Sequence, residues 1–372
     1  MRLRGLGHDV VASVRGWKGA TQPRLKELEE AGVVLCRRGS ESLPLWQRGL
    51  RRLPGDPFHV QKPDWIEALA SRKPDFVLIS DGTNRVPAYV CQPFVAKKIA
   101  FAIVLQAGSE AWWPADAEVN DASYVYDHAE AVYFVSEGNR RLAKKQFVKE
   151  SPRAEVVRNP FNVDFDANPP WPDATAVMKL AFVGRLEPAA KGCDLLLDVL
   201  SKPKWRSRSI EVTFYGEGCS AGSVKKYAEA LGLGNVHFRG HVDDVVEIWK
   251  EHHMLLLPSR YEGLPLAAVE AMLCGRPCVV TDVGGSAELI EDNVTGFVAE
   301  AATERHFDEA MERAWSVREN WREIGERAGA KVRGSLPRDP AGVFAGKLVE
   351  LALAKERPAR IAIGNLEPAN SR

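Results

Sequence analysis

Residues 259 to 277 read Ser-Arg-Tyr-Glu-Gly-Leu-Pro-Leu-Ala-Ala-Val-Glu-Ala-Met-Leu-Cys-Gly-Arg-Pro and follow the apolar run Met254 to Leu257. Strand, polar turn and helix therefore succeed one another without an intervening linker. One carboxylate, Glu262, falls in the turn. A second, Glu270, falls in a helix that is otherwise apolar on every face: Leu266, Ala267, Ala268, Val269, Ala271, Met272, Leu273. A helix patterned in this way is a buried one, and a charge inside it needs hydrogen bonds or a partner. Two readings of Glu270 are open. It is either a carboxylate satisfied by a nearby amide or basic side chain, or an acceptor for the hydroxyls of a polyhydroxylated ligand such as a ribose. Pro265 suits the first helical position. That would leave the N–H groups of Gly263 and Leu264 at a helix start, where a phosphate sits well.

Working outward, short apolar runs alternate with amphipathic segments from Lys179 on. Strands are expected at 180–183, 212–215, 236–238, 254–257, 278–281 and 296–298, with helices starting near Cys193, Ser220, Asp243, Pro265 and Ser286. Continuous apolar strands alternating with helices indicate an α/β fold, a parallel doubly wound sheet. Ligands bind beyond the carboxyl ends of such strands. Five polar or glycine-rich loops converge there: 184–192, 216–218, 239–242, 259–263 and 282–285. The first half repeats the alternation less clearly, with strands expected at 9–14, 33–36, 76–80, 99–105, 131–136 and 155–157. Residues 158–173, rich in Pro, Asn and Asp, read as an interdomain linker.

The expected organisation is a domain at 1–170, a second at 171–335, a helix within 336–356 and a mobile tail at 357–372. The helix carries an apolar stripe, Val343, Phe344, Leu348 and Leu351, and a return to the N-terminal domain is one placement for it. Residues 1–7 resemble the last turn of a helix with a glycine cap. A doubly wound domain normally has a strand and helix ahead of such a stub. The N-terminal domain is therefore expected to lack its first strand-helix unit of about thirty residues, the alternative being a domain that begins on a frayed turn.

The 372 residues carry 50 basic and 50 acidic side chains, so no overall field favours nucleic acid. The 45% hydrophobic content is that of a globular chain. No apolar run approaches the ~18 residues of a membrane span, and the first residues hold no signal-peptide core. The six cysteines are scattered, without a Cys-x-x-Cys pair, and read as buried free thiols in a reducing compartment. A cytoplasmic location is expected.

Several motifs together resemble the donor domain of retaining GT-B glycosyltransferases of family 4, the glycosyl transferases group 1. They are Gly184-Arg-Leu with Lys191-Gly192, Gly216-Glu-Gly218, Gly240-His-Val242, Pro258-Ser-Arg-Tyr-Glu-Gly263, Glu270-Ala-Met-Leu-Cys-Gly-Arg-Pro277 and Gly284-Gly-Ser-Ala-Glu288 with Gly296-Phe-Val298. The family's two glutamates separated by seven residues match Glu262 and Glu270. The resemblance runs from Arg158 to Trp315 and is fainter before it. It implies two Rossmann-like domains facing across a cleft. The implied reaction moves a hexose-type sugar from a nucleoside-diphosphate sugar, UDP- or GDP-linked, to a hydroxyl of a glycan or lipid-linked acceptor. It would do so with retention, without cofactor or metal, in surface glycan or polysaccharide biosynthesis.

By the same resemblance Arg185 and Lys191 stabilise the departing diphosphate, the first able to grip it bidentately and the second acting as a point charge. Glu262 lies beside the donor sugar, where it orients the hydroxyls and stabilises the charge on the ring or else acts as a covalent nucleophile, and Glu270 lies on the ribose. Gly184, Gly216, Gly263, Leu264 and Pro265 line the sugar and diphosphate, and the backbone at Val242 meets the base. His241 reads as a loop histidine. On the acceptor side, Gln106, Ser109, Glu110, Trp112 and Trp113 occupy the loop where relatives often carry a histidine. They could line an acceptor pocket, and the paired tryptophans fit hydrophobic packing equally well. The glycine-rich turn after the family's first strand is absent, so transfer is expected to be impaired if the chain is complete as written. A nucleotide-sugar-binding pseudoenzyme, a sugar-nucleotide epimerase and a phosphorylase of the same plan are the other classes in view. A phosphorylase would need a pyridoxal-binding lysine that is not identifiable. Asp164-Phe-Asp166 has a metal-motif spacing but lies in the linker, where chance explains it. The basic segments 140–149 and 46–53 read as solvated faces, with peripheral contact to an anionic inner membrane face as the alternative.

Overall fold

The computed structural model describes residues 1–15, 23–38, 64–172 and 177–354. Its strands are β1 (Val11–Arg15), β2 (Val34–Arg38), β3 (Phe76–Asp81), β4 (Ala100–Leu105), β5 (Ala131–Phe134), β6 (Ala154–Val156), β7 (Met178–Val183), β8 (Ile210–Tyr215), β9 (Val236–Gly240), β10 (Met254–Leu257), β11 (Cys278–Thr281) and β12 (Phe297–Ala299). The expected segments fall on these strands with ends displaced by a residue or two. Ser136 leaves β5 because its hydroxyl caps the helix Glu137–Phe147, accepting the Asn139 N–H at 3.2 Å.

The C-terminal sheet is six-stranded in the order β12-β11-β10-β7-β8-β9, with every pair parallel. β10 and β11 are wholly buried, as continuous apolar runs require. Phe182, Phe214 and Phe238 stack across β7, β8 and β9 on one face, with centroids 4.8 and 5.0 Å apart. β7 and β10 are neighbours although β8 and β9 intervene in sequence. The strand order reverses between them, which makes that gap the sheet's topological switch point.

The N-terminal half holds a four-stranded parallel sheet, β3-β4-β5-β6. β1 and β2 do not extend it. Among the described residues they pair with each other, as a two-stranded parallel ribbon beside it. β3 therefore has one edge without a strand partner among the described residues, and Leu78 on it is exposed.

The segment 158–172 is laced to the C-terminal half. The buried Arg276 donates to the carbonyls of Pro170, Trp249, His252 and Cys274 and lies over the Trp171 ring. Arg333 holds the carbonyls of Phe165 and Ala167. The last helix, Pro340–Ala354, packs Phe344 edge-on against Tyr133 of β5 at 5.0 Å and pairs Lys347 with Glu155 of β6 at 2.5 Å. Of its expected stripe, Phe344, Leu348 and Leu351 meet the core, whereas Val343 is exposed. Residues 46–53 and the tail 357–372 lie outside the described residues. The thiols of Cys91, Cys193, Cys274 and Cys278 are buried, but Cys36 is half-buried and Cys219 exposed, which corrects the uniform reading of the six. Among the described residues no helix is long and apolar enough to cross a membrane.

Candidate active site

The loops after β7 and β10 meet at the switch point, and the structure ties them together at several points. Arg260 grips Asp194 through both terminal nitrogens at 2.6 and 2.9 Å and donates to the Pro188 carbonyl. The backbone N–H of Arg260 donates to the Ala190 carbonyl at 2.8 Å. Gly216, at the end of β8, has φ +128°, and a Cβ there would lie 2.1 Å from the Gly184 carbonyl oxygen. Only glycine admits that approach.

This lacing delivers Lys191 to Glu262. Lys191 Nζ lies 2.6 Å from Glu262 Oε1, which also accepts the Ser259 hydroxyl at 2.7 Å. Glu262 is 6% exposed. A charge pair this deep is costly to break from one side, because the surviving partner is left buried and uncompensated. Arg185, by contrast, is exposed and paired with Glu187 at 2.7 Å. The structure thus joins Gly184, Lys191 and Glu262 in one cluster and leaves the Arg185 guanidinium at its rim.

Glu270 lies in the helix Leu266–Leu273 and is 4% exposed. Its Oε1 accepts the backbone N–H and the side-chain amide of Asn162 at 2.9 and 2.8 Å, and Arg24 donates to the other end of that amide at 2.5 Å. Burial pushes the Glu270 carboxyl above the ordinary carboxylate range, while the Asn162 hydrogen bonds and the Arg24 charge pull the other way. Pro265 stands at the N-cap rather than the first helical position, its carbonyl accepting the Ala268 N–H at 3.0 Å.

The two halves touch through backbone beside Glu262. Gly108 and Glu262 form an antiparallel bridge. A Cβ on Gly263 would lie 1.9 Å from the Gln106 carbonyl oxygen, and one on Gly138 would lie 1.9 Å from the Gly284 carbonyl oxygen. The Gln106 side chain accepts from Asn159 at 2.7 Å. Ser109 is buried, its hydroxyl turned to the Ala111 N–H within its own loop. Gln146 holds that loop through the carbonyls of Ser109 and Trp112. Trp112 packs on Tyr261 with centroids 4.4 Å apart and has Arg85 over its ring, whereas Trp113 and Glu110 are exposed.

Val242 is half-buried against the core, and Leu264 is buried. His241 is exposed beside Asp243. Asp166 pairs with Arg338, and among the described residues no group of three or more His, Cys, Asp or Glu is placed to hold a metal. In the basic segment, Arg140 and Lys144 pair with Glu150, and Lys149 pairs with Asp127. Sequence reasoning missed Ser259, Arg260, Asp194, Glu187, Asn162 and Tyr261. Three of these adjoin or sit within the quoted motif loop, and their polar character was the only signal.

Two parallel sheets facing each other, with the loops of one closing on the switch point of the other, define the GT-B architecture. Residues 178–316 match the family model for glycosyl transferases group 1. Among curated proteins, the chain is 35% identical over 153 residues to the O-antigen biosynthesis glycosyltransferase WbnH of Escherichia coli, covering 41% of this chain and 42% of that one. It is 36% identical over 108 residues to the Vi polysaccharide biosynthesis protein VipC/TviE of Salmonella typhi, covering 29% of this chain and 19% of that one. These alignments thus span less than half of either relative. Over nearly the whole chain it superposes on Anabaena HepE, solved with UDP and glucose (TM-score 0.69, 17% identity, 91% of each chain). It also superposes on a glycosyltransferase from Rickettsia africae (TM-score 0.69, 16% identity, 96% and 92%).

Proposed function

We propose that this chain is a retaining glycosyltransferase that moves a hexose-type sugar from a nucleoside-diphosphate sugar to a hydroxyl acceptor, in the cytoplasm, during surface glycan or polysaccharide synthesis. The observation that carries the reading is the pairing of half-buried Lys191 with buried Glu262 at the switch point of the C-terminal sheet. Ligands of open α/β sheets bind at that position, and the match to glycosyl transferases group 1 covers it. The O-antigen and Vi polysaccharide relatives support the glycan role, and the UDP held by HepE supports a UDP-type donor. The boundaries of this reading are an acceptor-side domain at 1–170 and a donor-side domain at 171–335.

In this reading the bond from the sugar's anomeric carbon to the diphosphate oxygen breaks, and a new bond forms to the acceptor oxygen on the same face. The acceptor proton passes to the departing phosphate. Lys191, held in a low-dielectric site, stabilises the charge that develops on that phosphate. Arg185 reaches it by leaving Glu187. Glu262 orients the sugar hydroxyls and steadies the positive charge on the ring. Glu270 presents its second oxygen, Oε2, to the ribose, Oε1 being held by Asn162. These side chains supply the charge and hydrogen bonding, so the reading assigns no cofactor and no metal.

Calorimetric titration with UDP, GDP and ADP and their common sugars, in chelator, tests it. Micromolar binding of one nucleotide is expected. Lys191→Ala should abolish it or slow transfer by a factor equivalent to about 2.7–4 kcal/mol in the barrier. Binding without turnover would make the chain a nucleotide-sugar-binding protein. Absence of binding by all three would sink the donor site.

A further inference from the structure

Glu288 plays no part in the chemistry above, yet it spans the two halves. One oxygen, Oε1, accepts the backbone N–H of Gly138 at 2.7 Å, at the start of the helix Glu137–Phe147. The other, Oε2, accepts from both terminal nitrogens of Arg158 at 3.1 Å each. Arg158 in turn donates to the Val135 carbonyl at 2.9 Å, one residue ahead of the helix cap Ser136. The carboxylate thus lies on an anion-favouring helix start and against a guanidinium, both contributed by the N-terminal half. About a fifth of each of the Glu288 and Arg158 side chains is exposed, so the pair is only partly screened.

What surrounds the pair gives it a task. Gly138 touches the Gly284 carbonyl, Gly285 lies against Ser136, and Gly263 touches the Gln106 carbonyl. Gly284 in turn packs on the carbonyl of Glu262. Contacts between backbones fix position but supply little attraction, and the side chain of Glu288 supplies it at the same place. Arg158 also heads the segment that connects the halves, so the same carboxylate senses the connector and the helix start.

We infer that Glu288 is a positioning residue, an interdomain clasp that sets the acceptor-side loop 106–109 in register with Glu262 when the cleft is closed. It touches neither substrate. Its catalytic consequence rests on the transferase reading, but its geometry does not. Opening the cleft requires the Gly138 and Arg158 bonds to be given up together, and closing it remakes both.

The test compares Glu288→Gln, Arg158→Gln and the double variant with the wild-type chain. Three readouts are used: the radius of gyration by X-ray scattering with and without UDP, hydrogen exchange of the peptides covering 135–140 and 284–290, and kcat with nucleotide Kd. Each single variant should enlarge the molecule, speed exchange in both peptides and lower kcat at least ten-fold, within the range usual for coupled sites. Nucleotide Kd should stay within about two-fold, because the nucleotide contacts are untouched. The double variant should be no worse than either single one, since one clasp is lost in all three. Wild-type scattering and exchange in the single variants, or additive losses in the double, would overturn the inference. If the wild-type chain transfers no sugar, the enzymatic reading fails by itself, while scattering and exchange still decide the clasp.

Discussion

At Glu270 the burial that shapes a carboxylate for a ligand also opposes its charge. Its folded pKa is raised, mainly by desolvation, above an ordinary value near 4.5. A raised acid holds its proton longer in the folded chain than in the unfolded one. Its favourable contribution is therefore complete below the ordinary carboxylate range and is lost as pH climbs through the raised value. Glu270→Gln keeps an oxygen for Asn162 and removes the charge. The variant should melt about 1–3 °C above wild type at pH 7, with the gain vanishing near pH 4, and should bind nucleotide sugar more weakly. Calorimetric melting at the two pH values checks this; a variant less stable at pH 7 would show that the charge is compensated. Glu262, unlike Glu270, is ion-paired, with the half-buried Lys191. Both glutamates stood out in the sequence, but their partners did not. Asn162 is an ordinary linker residue until the fold brings it to Glu270.

The elements that carry the site were legible where burial is two-sided. β10 and β11 read directly from Met-Leu-Leu-Leu and Cys-Val-Val-Thr, since strands covered on both faces have no polar alternation to obscure them. β3 alternates in exposure and β1 runs from exposed Val11 into half-buried positions, so their pattern is weaker, and the separation of β1 from β3 among the described residues was not readable. The glycines of the loops were visible as motif letters, but their reason was not: Gly263 and Gly138 are small because a backbone from the other half passes against them. Gly263→Ala should therefore act between elements rather than within one. It should force the loops 106–109 and 262–264 apart, lowering kcat by ten-fold or more, since a misplacement of about 1 Å is enough to do so. Far-UV circular dichroism should be unchanged. Wild-type kcat in this variant would show that the contact is not kept during turnover.

For the molecule as a whole, acid should act first where the connector packs on the C-terminal half. His252 and His253 are buried, the latter ring packing on Trp171 of the connector, and burial depresses both imidazole pKa values. The unfolded chain takes up protons near pH 6.5, whereas the folded one resists until a lower pH. The stability these groups contribute is full above 6.5 and is lost as pH falls below it. The urea midpoint should drop between pH 7 and pH 5, and replacing both histidines with Asn should flatten that slope. A slope that persists would assign it to carboxylates instead. Whole-molecule pairings such as His253 with Trp171, or Glu288 with Arg158, join residues far apart in the chain, and no local pattern announces them. The ribbon of β1 and β2 has another kind of consequence. Among the described residues, its exposed Val11 and Val34, and the edge of β3 with exposed Leu78, are the kind of surface to which other strands add. A chain with 50 charges of each sign has little mutual repulsion near neutrality to keep such edges apart. Self-association through these strands should therefore be strongest near neutral pH and weaken away from it, which light scattering across pH checks.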